Sequence, residues 1–366
     1  MTKSCDVGSL PFVGDYKRFL EGAARFDTPS ADDSVRYFEQ KVVEGFLDKV
    51  HAGIDVPSFP QFRDMNEMFL AVIDGVEKLK GGGYAETKVP SIKADRSQIP
   101  EVKAIKRGVQ EIENKSKAFQ IRICVTGPYT LSSFFMYRDS KIFTRLGDVI
   151  SQIIENNVFS EKHVSVSLVS VDEPAFGLLG DPLIDYGSEG REILRRVWES
   201  IFYGASSKGA ETIMHLHNTA DELFWEVESL NIVESHIGDP LYEMKKTKER
   251  LKSTDKFLKA SICVTDFDKL IRNGIVGASP QKMSETTINQ KVADVWKDVS
   301  HGKIDSEVFL EKVETLKGRL VKIIDRFGGE RVPYAGPECG LKGFPTYECA
   351  LECLKRVAST VKDVAE

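Results

Sequence analysis

Glu211-Thr212-Ile213-Met214-His215-Leu216-His217-Asn218-Thr219 reads as a short apolar strand that brings two imidazoles, His215 and His217, to one face of its end. Side chains two apart in a strand point the same way. Only six histidines occur in the 366 residues. Two of them at this spacing, followed at once by polar loop residues, mark a place where a metal or a reacting group could be held. An isolated His-x-His is otherwise one hydrogen-bonded core histidine and one facing solvent. The rest of the chain bears on the choice, because it repeats the same event elsewhere.

Extended runs at 4–9, 53–56, 118–126, 164–171, 231–234, 257–264 and 332–335 each stop at turn or polar residues, as at Gly127-Pro128, Asp172-Glu173-Pro174 and Gly336-Pro337-Glu338-Cys339-Gly340. Helical periodicity lies between them, at 34–51, 66–79, 142–157, 188–206, 220–229 and 345–363. The run Gly81-Gly82-Gly83 reads as a helix stop. Strand and helix alternating about eight times, with no break in composition, predict a single α/β domain over 1–366, a (β/α)8 TIM barrel. No glycine fingerprint follows the first strand, which argues against an open dinucleotide-binding sheet. Residues 277–325 read as a helical insertion before the last strand, an antiparallel pair packed outside the barrel. In a barrel the chemistry sits after the C-terminal strand ends, which selects Ser9, Asp172, Glu173, His215, His217, Glu234 and Cys339.

Composition narrows the function. The hydrophobic content of 41% suffices for a large core, and a net charge of −6 with no basic stripe gives nucleic-acid binding no support. The first residues lack the apolar run of a signal peptide and no window is apolar enough for a membrane span, so the cytoplasm is the expected compartment. The six cysteines are too sparse for a secreted disulfide scaffold and are read as thiols. One imidazole, one carboxylate and one thiolate from separate strand ends, His217, Glu234 and Cys339, answer the description of a zinc site. Zinc held in this way and left open at one position can bind a substrate thiol and lower its pKa, so the site predicts thiol alkylation.

Five stretches carry a resemblance: Val7-Gly8-Ser9-Leu10-Pro11, Asp64-Met65-Asn66-Glu67-Met68-Phe69, Val125-Thr126-Gly127-Pro128-Tyr129-Thr130-Leu131, Val171-Asp172-Glu173-Pro174-Ala175 and Pro337-Glu338-Cys339-Gly340-Leu341-Lys342. In this order they resemble the C-terminal catalytic barrel of cobalamin-independent methionine synthase, in its short, core-only form. The resemblance implies a cytoplasmic methyltransferase of methionine biosynthesis. Ser9, Glu67 and Asp172 would hold homocysteine, and a zinc cofactor would sit on His217, Glu234 and Cys339. It also implies methionine as product and, for the short members, a methylated corrinoid protein as donor in place of methyl-folate. The carboxylates suit an ammonium, and Ser9 with neighbouring N–H groups suits a carboxylate.

This chain departs from the pattern at Thr219, which stands where the family has a cysteine ligand. A neutral hydroxyl offers zinc neither charge nor softness. Three arrangements remain open at this level: zinc on His217, Glu234 and Cys339 with water, His215 or His236 stepping in, or no metal. Two other functions stay in view. One is a coenzyme M-type thiol alkyltransferase, which two carboxylates at the acceptor site disfavour. The other is a metal-free barrel that binds an amino acid or a corrinoid partner.

Overall fold

The computed structural model describes residues 1–26, 32–110, 119–178, 180–278 and 283–365. Its strands are β1 (Lys3–Ser4), β2 (Ile73–Lys78), β3 (Tyr84–Ile92), β4 (Phe119–Thr126), β5 (Val164–Glu173), β6 (Glu211–Leu216), β7 (Ile232–Glu234), β8 (Phe257–Cys263) and β9 (Tyr334–Pro337). Seven of them form one curled sheet in the order β1-β9-β8-β7-β6-β5-β4, and every neighbouring pair in it is parallel. The gap between β4 and β1 is spanned by residues 56–58. Val56 N–H donates to Ser4 O at 3.0 Å, Arg122 N–H donates to Pro57 O at 3.0 Å, and single parallel bridges join Cys5 to Val56 and Ser58 to Arg122. With that segment in the eighth place, the expected TIM-type barrel is the observed architecture.

A buried lysine holds this seam. Lys49, on the helix Asp33–His51, donates to Asp6 Oδ2 at 2.7 Å, to Gly8 O at 2.7 Å and to Ser58 O at 3.1 Å. Asp6 in turn accepts from Ser58 N–H at 2.7 Å. One ion pair with its carbonyl partners therefore ties β1 to the 56–58 segment. Such a buried charge is tolerated because each of its polar neighbours is satisfied.

Strand alternation sorts the barrel interior into levels. Cys5, Val56, Leu168, Ile213, Ile232 and Tyr334 form a separate apolar cluster at the lower level. Two residues further along the same strands the interior turns polar, with Ser58, Arg122, Ser170, Glu234 and Lys259 all fully buried. The alternate residues, such as Val169, Val171, Met214 and Leu216, join the main core between sheet and helices.

Several sequence expectations are corrected. The helix expected over 66–79 is only Glu67–Leu70; the chain then enters an antiparallel hairpin, β2 with β3. Ile73 and Val76 suit a strand, and Gly82 and Gly83, at φ +93° and +78°, make the hairpin turn that Gly81-Gly82-Gly83 was expected to make as a helix stop. The helix expected over 220–229 is one 3-10 turn, Leu223–Glu226. In the 277–325 stretch, the helix Val313–Phe327 packs on β8 and on the last helix, Tyr347–Ala365, so it is the barrel's own crossover. The added helix is Glu285–Ser300, which packs on Phe267–Gly277; residues 279–282 lie outside the described residues. Among the described residues, no helix is long and apolar enough to cross a membrane.

The seam between β1 and β9 allows a direct test. A Cβ on Gly336 would lie 1.9 Å from the backbone oxygen of Cys5. Gly336→Ala is therefore expected to destabilise the fold by about 1–3 kcal/mol, read as a lower urea midpoint. An unchanged midpoint would mean that the two strands can part without cost.

Candidate metal centre

β6 and β7 pair in register so that His215 lies beside Glu234, and β5 places Asp172 on the other side of His215. Each strand then runs on for two residues, to His217 and to His236, and β9 runs on to Cys339. The loops carrying these residues are tied together by Glu338, whose carboxylate accepts from Ile237 N–H at 2.8 Å and Thr265 N–H at 3.1 Å. Beyond Cys339, Leu341 N–H donates to Ser9 O at 2.9 Å. A Cβ on Gly340 would meet Ser9 Oγ at 2.0 Å, so only glycine permits the approach.

These strand ends bring together one donor atom each from His215, His217, His236 and Cys339, all within 4.8 Å of one another. Cys339 Sγ stands 3.8 Å from His215 Nε2 and 3.6 Å from His217 Nε2. A tetrahedral ion with ordinary zinc–sulfur and zinc–nitrogen bonds separates such atoms by roughly 3.6 Å. His236 Nε2 is buried without a hydrogen-bond partner, and its ring centroid lies 4.1 Å from that of His217. An orphaned imidazole nitrogen beside a thiol and two further imidazoles fits a cation. As the cluster stands, burial would push the Cys339 thiol up, but the neighbouring imidazoles, His215 and His217 first, hold it well below the usual thiol value. Burial would lower His215, yet Cys339 and Glu234 raise it to about 10.

Of the expected ligands, His217 and Cys339 are in the cluster, His215 and His236 have joined them, and Glu234 and Thr219 stand outside. Glu234 is ion-paired with Arg122 through Oε1 and with Lys259 through Oε2. Its Oε1 also faces His215 Nδ1 at 3.2 Å, without hydrogen-bond alignment. Burial would raise this carboxyl, but the two cations hold it well below the carboxylate range. Thr219 turns away to Asp239, donating its hydroxyl to Oδ1 and its N–H to Oδ2, the latter at 3.1 Å. Sequence reasoning missed Arg122 and Lys259, although a lone cation inside an apolar strand was a visible signal in both places.

The expected amino-acid residues are placed unevenly. Asp172 is buried beside His215 and accepts from Ser170 Oγ at 2.5 Å; burial raises its pKa, against the opposing charges of His215 and Arg122. Ser9 Oγ receives the Lys342 N–H at 3.4 Å, on the loop that carries Cys339. Glu67 is half exposed and bonded to Lys78 Nζ at 2.5 Å and to Tyr84 Oη at 2.8 Å, so its carboxylate faces the hairpin. It lines a separate cavity of about 530 Å³, between the helix Tyr16–Arg25 and residues 93–100, which contains none of the four donors.

No protein-family model matches this chain, and no curated protein matches it by sequence. Solved structures do match by shape. A B12-independent methionine synthase from Shewanella sp. W3-18-1, in complex with selenomethionine, superposes with a TM-score of 0.63 at 13% identity, covering 100% of this chain and 98% of that one. The fold is shared. A structural-genomics target from Listeria monocytogenes, provisionally assigned as a vitamin-B12 independent methionine synthase, gives a TM-score of 0.59 at 13% identity over 98% of this chain and 96% of that one.

Two outcomes are expected of this geometry. Thr219→Ala leaves metal stoichiometry unchanged in a metal assay and costs about 1 kcal/mol of stability through the lost bond to Asp239; loss of metal would make the hydroxyl a ligand. Glu173 accepts from Tyr129 N–H, Thr130 N–H and Trp198 Nε1 at 3.0, 2.7 and 2.9 Å, yet burial raises it from 4.5 to about 7. The folded protein thus keeps a proton that the unfolded chain releases, so stability falls as pH rises from 4.5 to about 7, by an amount on the order of 3 kcal/mol. Denaturant titrations of Glu173→Gln should give a less stable protein whose stability no longer falls across that window.

Proposed function

We propose that this chain transfers a methyl group to the thiol of homocysteine, giving methionine. The observation that carries the proposal is the four-donor cluster at the C-terminal strand ends of a barrel shared with methionine synthases. His215, His217, His236 and Cys339 would hold zinc. Zinc in such a site would supply Lewis acidity, and a substrate thiol that takes the place of one of the four donors would lose its proton near neutral pH.

The remaining chemistry falls to the chain's own groups. Asp172 would pair with the substrate ammonium, since it is a buried carboxylate beside His215. Ser9 Oγ and the N–H of Lys342 would receive the substrate carboxylate, placing the sulfur over the cluster. The thiolate sulfur attacks the methyl carbon, a sulfur–carbon bond forms, and the electron pair of the breaking bond stays with the donor. The thiol proton leaves to solvent. A methylated corrinoid, carried by a partner protein, is the proposed donor, on the resemblance to short family members. A sulfonate acceptor such as coenzyme M is disfavoured because Asp172 would repel it. Glu67 reaches the ammonium only by leaving Lys78 and Tyr84, so Asp172 takes the larger share.

Metal analysis of protein purified without added metal, with calorimetry in buffers of different ionisation enthalpy, tests the reading. The expected result is about one zinc per chain, lost in Cys339→Ala, with homocysteine binding that releases a proton. Asp172→Asn should weaken homocysteine about 10- to 100-fold without removing metal. Methionine formed from homocysteine and methylcobalamin would complete the case. Protein that holds zinc but neither binds homocysteine nor forms methionine would end the methyltransfer reading.

A further inference from the structure

The two cations beside Glu234 have no part in the chemistry above, and they decide what that carboxylate can do. Glu234, Arg122 and Lys259 are all 0% exposed. Arg122 comes from β4, Glu234 from β7 and Lys259 from β8, so the cluster crosses the barrel interior. Turning the carboxylate onto the donor cluster would strip both cations of their counter-charge where no water reaches them. Breaking a buried pair from one side is strongly unfavourable, because it leaves the other charge unpaired. The clamp is also anchored outside itself: Lys259 Nζ donates to Pro337 O at 2.6 Å, two residues before Cys339, and Arg122 Nη2 donates to Ser170 Oγ at 2.8 Å. Ser170 Oγ then donates to Asp172.

We infer that Glu234 is a positioning residue held off the metal by Arg122 and Lys259, and that the centre is built from three imidazoles and one thiolate. Glu234 Oε1 lies 3.2 Å from His215 Nδ1, and the other ring nitrogen of His215 faces Cys339. A carboxylate behind a histidine keeps the proton on the near nitrogen and the lone pair on the far one, as carboxylate–histidine–metal arrangements require. His236 supplies the fourth donor, because Thr219 is occupied by Asp239. Three neutral imidazoles and one thiolate leave a divalent ion with a net charge of +1, where a carboxylate in the sphere would cancel it. The inference rests on the metal reading proposed above and specifies its donors.

X-ray absorption of the zinc-loaded protein, with absorption spectra of the cobalt(II) form, tests this. The wild type should show one sulfur and three nitrogen donors with imidazole scattering, and His236→Ala should lose one imidazole. Glu234→Gln should keep the donor count while metal affinity falls about 10- to 100-fold and the cobalt(II) bands shift. Lys259→Arg, which preserves the cation beside Glu234, should give bands close to wild type. A carboxylate oxygen in the wild-type sphere, an intact sphere in His236→Ala, or protein that takes up no metal would each overturn the inference. The first two need only the wild type and His236→Ala, so they stand even where Glu234→Gln does not fold. A sphere of three imidazole nitrogens and one sulfur in a protein that forms no methionine would end the methyltransfer reading and leave this one in place.

Discussion

The ion pairs of Glu234 with Arg122 and Lys259 are the constraint on which the interior of this barrel depends. They join β4, β7 and β8 at a level where the apolar packing below gives way to polar side chains. A guanidinium and an ammonium at this depth are compatible with folding only because one carboxylate answers both and Ser170 and Pro337 take further N–H groups. The same cluster flanks His215, with Glu234 Oε1 3.2 Å from its Nδ1, so packing of the barrel and orientation of the candidate centre are settled together.

From there the chemistry is stacked by strand alternation. Apolar side chains fill the lower level, the ion pairs and His215 the next, and His217, His236 and Cys339 the level that opens toward solvent. Glu338 and Gly340 complete the upper level, one by bonding two neighbouring loops, the other by letting Ser9 approach. Asp172 is buried beside His215, and Ser9 Oγ with the Lys342 N–H lies on the loop that carries Cys339. In the proposed function these groups would take the two charged ends of an amino acid.

Much of the fold was legible because strand after strand stopped at turn residues with helical periodicity between them. The hairpin β2–β3 was not, since a segment containing Glu67 to Leu79 offers apolar spacing that serves a helix as well as a strand. Its outcome was decided by docking, with Tyr84 N–H donating to Phe134 O and Met136 N–H donating to Tyr84 O. In the candidate centre, His217 and Cys339 were legible as strand-end residues, and the departure at Thr219 was visible as the loss of a soft donor.

The order of strands, the level at which each chemical group sits and the presence of imidazole and thiol at the strand ends follow from the sequence, because period two and turn residues are local properties of the chain. Which of those groups face one another does not. Glu234 lies at a strand end and reads as a ligand, yet Arg122 reaches it across the barrel from a strand 112 residues earlier, and Lys259 reaches it from the neighbouring strand, 25 residues later. His236 is one of several possible ligands in the sequence, and only the fold sets its ring beside that of His217. Partner choice among buried charges is settled by the lowest-cost pairing in the whole interior, and only the tertiary structure contains that interior.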